Sequence, residues 1–253
     1  MIIVISPAKK LDFETPAPTK KFSNLENISL SEKLINDLRK CDSKEISKMM
    51  KLSDSLTKLN VKRYNEFKTP FTLENAKQAI FAFKGDTYVG LDADSLTKKE
   101  IDFAQKHLRI LSGLYGLVSP LDLIQPYRLE MGTKFACGDS SDLYSFWSKK
   151  ITKQLSESLK QEKILINCAS NEYFKSVNTK ELGSVEVITP TFKEKKNGEY
   201  KMIGLFAKKA RGMMSRFIIQ NEIKDSKEIL NFNLDGYKYN PKLSSSINPV
   251  FTR

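Results

Sequence analysis

Histidine and cysteine are scarce in this chain. Its 253 residues include one histidine, His107, and three cysteines, Cys41, Cys137 and Cys168, all far apart in sequence. Zinc and iron–sulfur sites need paired soft ligands a few residues apart, and no CxxC or HxxxH spacing exists here. The expectation is no metal and no cofactor, with each cysteine a small buried hydrophobe; Cys168, beside Asn167 after a strand, is the one candidate for reactivity. Long apolar runs are missing too. Nothing nears the roughly 18 residues that span a bilayer, and the N-terminal run is only Ile2–Ile5 before Ser6-Pro7. A cytoplasmic protein without membrane contact is expected. No Gly/Ser/Pro linker and no repeat divides the chain, so a single domain over 1–253 is expected.

Arginine is scarce relative to lysine. Forty-two basic residues against thirty acidic ones give a formal charge of +12, and only seven of the forty-two are arginines. A surplus of this size favours polyanions such as nucleic acid. Where arginine persists against a lysine-rich background, its planar fork of donors is the reason to look. Arg63, Arg109, Arg128, Arg211 and Arg216 fall in or beside the motif-like segments, whereas Arg39 and Arg253 do not.

The densest segment is Arg109–Gly132, which packs three glycines, two prolines, two tyrosines, two arginines and two acids into 24 positions. Glycine and proline fix special backbone geometry, so the segment reads either as a built site containing Tyr127, Arg128 and Glu130 or as an elaborate turn. Ile2–Ile5 reads as a buried strand whose exit presents Lys9, Lys10 and Asp12. Phe81–Tyr88 reads as a strand carrying Lys84-Gly85-Asp86. Ile101–Leu114 reads as an amphipathic helix, with His107 on a broad apolar face as a structural histidine and Arg109 on the polar side. Leu143–Leu159 is a helix, and Lys163–Cys168 a buried strand delivering Asn167, Ser170, Asn171, Glu172, Tyr173 and Lys175 into a loop. Val185–Lys193 and Glu199–Phe206 form a hairpin about Asn197-Gly198.

Two stretches suggest anion binding. Ser29–Leu38 and Ser43–Leu52 have helical spacing, and a further short helix is expected after Leu59-Asn60, running through Arg63 toward Pro70. This makes 43–68 a candidate helix-hairpin-helix with Lys58 and Asn60 at the hairpin, although the glycines that let such a turn approach phosphate are absent. In the helix after Phe206, Lys208, Lys209, Arg211, Ser215 and Arg216 share one arc, opposite Ala210, Met213, Met214, Phe217 and Ile218. Gly212 lies within the basic arc. A glycine costs a helix interior about 1 kcal/mol relative to alanine, so something is expected to approach the backbone there.

Met1–Lys9 (MIIVISPAK), Ala82–Leu91 (AFKGDTYVGL), Arg109–Gly132, Asn167–Val177 (NCASNEYFKSV) and Ala207–Ile218 (AKKARGMMSRFI) together resemble the YaaA family of bacterial peroxide-stress proteins. The resemblance implies a cytoplasmic protein that limits free intracellular iron under hydrogen peroxide stress. It also implies one compact domain with a positively charged cleft, and DNA binding through a helix-hairpin-helix.

The expected fold is a mixed α/β domain, a central mixed sheet wrapped by helices with a basic cleft at the strand ends. The candidate binding residues for DNA or another anion are Lys9, Lys58, Asn60, Arg63, Lys84, Arg109, Arg128, Lys175, Lys208, Lys209, Arg211 and Arg216. Asp12, Asp86, Tyr127, Glu130, Asn167, Ser170 and Glu172 are the cleft's acids and polar groups. The partner expected is double-stranded or structured DNA without sequence preference. The mixture of signs also suits an enzyme acting on a small anionic, nucleotide-like substrate, because a groove that only neutralises phosphate has little use for acids. Neither a nucleophile–histidine pair nor a phosphate-binding loop defines a reaction.

Overall fold

Ile2–Ile5 (β1) is buried along its whole length, as a strand paired on both edges and covered on both faces must be. The computed structural model describes residues 1–253. On one side β1 pairs in parallel with Leu108–Ser112 (β2), which turns back antiparallel into Gly116–Val118 (β3). On the other side it pairs in parallel with Ile164–Cys168 (β4), followed by Glu186–Ile188 (β5). The order β3-β2-β1-β4-β5 means that the chain builds away from β1 in one direction and then crosses to its other edge. In open α/β sheets such a reversal opens a crevice at the strands' carboxyl ends.

A second sheet contains Thr191–Lys196 (β6), Glu199–Lys201 (β7), Lys238–Tyr239 (β8) and Val250–Thr252 (β9), in the order β7-β6-β9-β8. Asn197 and Gly198 take the positive φ values, 53° and 82°, that the tight β6–β7 turn requires. One core cluster of 64 buried residues includes all of β1 together with Phe192 and Phe251 of this second sheet. Helix Leu143–Leu159 forms as expected, started by a capping box on Asp142 and Ser145. Its Trp147 lies so close to Gly116 that a side chain there would stand 2.6 Å from the indole, and Gly116 also has φ +71°. Only glycine satisfies both conditions.

Several expectations are corrected. The helix expected over 101–114 ends at His107, and Leu108–Ser112 is β2. A short run that is almost wholly buried, as here, does not distinguish a buried strand from a continuing helix by periodicity. Phe81–Tyr88 is not one strand: helix Ala79–Ala82 runs into a two-residue strand, Phe83–Lys84, and then helix Asp86–Leu91. Val185–Lys193 divides between the two sheets, its first part forming β5 and its end lying in β6. Glu199–Phe206 likewise ends as a strand at Lys201, and Gly204 opens a helix. Helices Ser43–Met50 and Asp54–Glu66 do pack as a pair, but they turn at Lys51-Leu52-Ser53, with Lys51 left-handed at φ 50°. Lys58 and Asn60 lie inside the second helix. Asn60 is fully buried and its amide donates to the Leu56 carbonyl at 2.8 Å, so it offers no hairpin amide.

Candidate functional site: the crevice at the strand ends

The carboxyl ends of β1 and β4 meet through two serines. The Ser170 amide donates to Ser6 Oγ at 2.9 Å, and Tyr88 caps the same strand end by donating its hydroxyl to the Ser6 carbonyl at 3.2 Å. At the end of β2, Ser112 and Tyr127 share a buried hydroxyl–hydroxyl hydrogen bond of 2.7 Å. Burial pushes the phenols of Tyr88, Tyr127 and Tyr173 above the ordinary tyrosine range, so all three stay neutral near pH 7. All three rings are buried at the strand ends.

Charge gathers beside these rings. Glu130 Oε1 accepts from Lys9 Nζ at 2.7 Å and from Arg128 Nη2 at 3.2 Å. Arg63 stands near enough that, after burial, the Arg128 charge also lowers its pKa. Two cations thus share one carboxylate, with a third close by. Arg128 Nε is buried and has no acceptor in the protein, although an unsatisfied buried donor costs about 1–3 kcal/mol. Across the crevice Glu172 Oε1 accepts the Gly132 amide at 3.1 Å, and its carbonyl accepts the Tyr144 hydroxyl at 2.9 Å.

Beside this cluster lies a cavity of about 1100 Å³. Its walls are the Lys10–Thr15 loop, the helix face carrying Lys62, Arg63 and Glu66, and the segment from Phe83 to Asp94. Lys10-Leu11 pairs antiparallel with Phe83-Lys84 to form one side. Lys77 is missing from the sequence-level candidates, yet it organises this wall. Buried to 8 % exposure, it donates to the carbonyls of Asp12 and Thr15 at 2.9 and 2.6 Å. Asp12 accepts the Glu14 and Thr15 amides, a turn-fixing role rather than a ligand-binding one. Ser6 and Tyr88 also escaped the sequence reading; the position of Ser6 directly after the first buried strand was the available signal.

Some expected site residues lie elsewhere. Arg109 is in mid-strand, with its guanidinium on the Gln105 and Leu108 carbonyls at 3.0 and 2.7 Å, and it lines a different cavity together with Asp122. The basic arc of helix Gly204–Gln220 is not a free surface. Gly212 and Ser215 are buried, and a Cβ at Gly212 would stand 1.8 Å from the Thr87 carbonyl oxygen. What approaches the glycine is the neighbouring helix Asp86–Leu91, whose Gly90 fits equally closely against Lys209. Arg216 donates to the Leu91 and Asp92 carbonyls and so finishes that helix, while Lys209 pairs with Asp235. Lys84 pairs with Asp94 at 2.6 Å on the cavity wall, where Asp86 also lies. Asn167 binds the Ala169 amide at 3.0 Å and steadies the end of β4. Lys175 and Lys208 are exposed. His107 is structural: its Nδ1 donates to the Met1 carbonyl at 2.9 Å and its ring stacks on Phe103.

Fold and site define an α/β protein with a crevice of mixed charge where the sheet's strand order reverses. The chain belongs to the family described as peroxide stress protein YaaA, whose model matches residues 1–243. It is 53% identical to a UPF0246 protein of Aliivibrio fischeri strain MJ11, over all of this chain and 98% of the relative. It is 52% identical to a UPF0246 protein of Colwellia psychrerythraea strain 34H, over all of this chain and 99% of that protein. The family is thus one of peroxide-stress proteins, and the match extends through every segment that builds the crevice. No helix is long and apolar enough to cross a membrane.

Proposed function

We infer that the protein serves the peroxide response in the cytoplasm by binding duplex DNA through its phosphate backbone, and that any effect on free iron is indirect. The observation carrying this reading is the helix pair 43–66 and its flank. Lys44, Lys48, Lys51, Lys58 and Lys68 are all exposed, and none meets a carboxylate within ion-pair distance. The turn at Lys51–Ser53 also leaves the Asp54 and Ser55 amides without a protein acceptor. Lysine point charges and free amides at a helix start suit phosphate and carry no base information. The indirect effect on iron is supported by the absence of any cluster of three histidine, cysteine or acidic side chains placed to hold a metal.

The test is a chain with Lys44, Lys48, Lys51 and Lys58 all changed to Ala. Duplex affinity should fall at least about tenfold and the salt dependence should flatten, since each lost phosphate contact removes nearly one unit of slope. The melting temperature should hold, and cells carrying the variant should lose peroxide protection. Unchanged affinity would remove this surface from the account. A second reading, recognition of a small anionic ligand, is favoured by the buried unpaired Nε of Arg128.

A further inference from the structure

Four of the seven arginines are committed to the framework. Arg39 binds the Tyr64 and Phe67 carbonyls, Arg109 and Arg216 bind carbonyls as described, and Arg253 lies between Glu194 and Asp235. A fifth, Arg211, is half-buried on helix Gly204–Gln220 near Cys168, away from the crevice's carboxylates, and the remaining two, Arg63 and Arg128, are different. Arg63 is half-buried, meets no carboxylate, and has only a 3.4 Å contact to Asn60 Oδ1. Arg128 shares Glu130 with Lys9 and keeps Nε buried and unpaired. Buried donors are normally satisfied, so a guanidinium left open beside a second one marks a place for an acceptor the protein does not supply.

We propose that Arg63 and Arg128, with Lys9, form an anion subsite beside the 1100 Å³ cavity, on whose wall Arg63 lies, and that the site takes a small phosphate ester. Two guanidinium forks and a lysine match the three oxygens of a phosphate monoester, and Glu130 is the one carboxylate in contact with Lys9 and Arg128. The cavity is far larger than a phosphate needs. Its wall carries both signs: Asp92 pairs with Arg216 and Glu66 with Lys62, which leaves Asp86 without an ion-pair partner beside Lys10 and the buried rings of Phe83 and Tyr88. The body of the ligand carries a hydroxyl or amino donor to meet the Asp86 carboxylate. A nucleoside monophosphate and a sugar phosphate share this chemistry. The site is separate from the exposed lysine surface assigned to DNA, and it stands or falls independently of that assignment.

Calorimetric titration of the full chain with inorganic phosphate, AMP and ribose 5-phosphate tests the proposal. At least one ester should bind more than tenfold tighter than inorganic phosphate; AMP above ribose 5-phosphate would identify a nucleoside site, and equal binding a sugar-phosphate site. Arg63→Gln and Arg128→Gln should each weaken that ester at least tenfold, and Arg128→Lys should also weaken it, because one point charge does not replace a fork. The four-lysine variant should bind the ester as the parent does. If Arg128→Gln fails to fold, the half-exposed Arg63→Gln carries the test. No ester tighter than phosphate, or glutamine variants binding like the parent, would overturn the proposal. So would displacement of the ester by duplex DNA together with parallel loss of DNA affinity in the glutamine variants, because the arginines would then belong to the DNA surface.

Discussion

At the residue scale the structure turns charged and sulfur side chains into framework. Asp12 accepts the Thr15 amide, and this bond, with the nearby Lys77 charge, lowers its pKa to about 2. The folded state therefore favours the carboxylate. Its stabilisation is complete above the unfolded value of about 4 and fades as pH falls toward 2. Asp12→Ala should be less stable than the parent in urea at pH 7, with the gap closing at pH 3 and below; a gap independent of pH would contradict this role. The cysteines follow the same logic with the opposite sign. Burial raises the thiols of Cys137 and Cys168 to about 12, the first helped by its hydrogen bond to the Asp37 carboxylate. The thiolate is the nucleophile, and the folded state disfavours it at both positions. Iodoacetamide at pH 7 should leave both unmodified in the folded protein and label both in urea. Cys137→Ser and Cys168→Ser should leave peroxide survival intact where the protein folds.

At the element scale the tightest contact is between helices Asp86–Leu91 and Gly204–Gln220. Gly212→Ala would place a methyl carbon 1.8 Å from a backbone oxygen that no rotamer change relieves. It should cost about 3 kcal/mol or more, read as a lower denaturation midpoint; a shift below about 1 kcal/mol would show that the helices part easily. This crossing also marks how far sequence reasoning reached. The helical wheel separated basic from apolar positions, and the glycine correctly announced a close approach. Periodicity does not reveal what approaches, and a second helix covers part of the arc. Leu143–Leu159 was legible because its apolar stripe is regular and Asp142 caps it. Leu108–Ser112 was not, because a strand buried on both faces has lost the alternation that distinguishes it from helix. Within the site, Lys9, Arg128 and Glu130 were readable as unusual residue types. Their meeting at one carboxylate depends on strand order. Lys44, Lys48 and Lys51 had a signal in their four- and three-residue spacing, overshadowed by the Leu59-Asn60 pair.

At the scale of the whole molecule, the +12 charge and the mixed crevice do different things. The crevice's acids offset much of its positive charge, so the long-range attraction for a polyanion comes from the surrounding lysines. Phosphate recognition by lysines and amides is indifferent to sequence and sensitive to salt. The most direct measurement is fluorescence anisotropy of the unmodified protein on two unrelated duplexes of equal length, across a series of salt concentrations. The account predicts affinities that agree within about threefold and fall together with salt, with a logarithmic slope of about −3 to −5. Discrimination on the order of a hundredfold between the duplexes, or binding indifferent to salt, would contradict it.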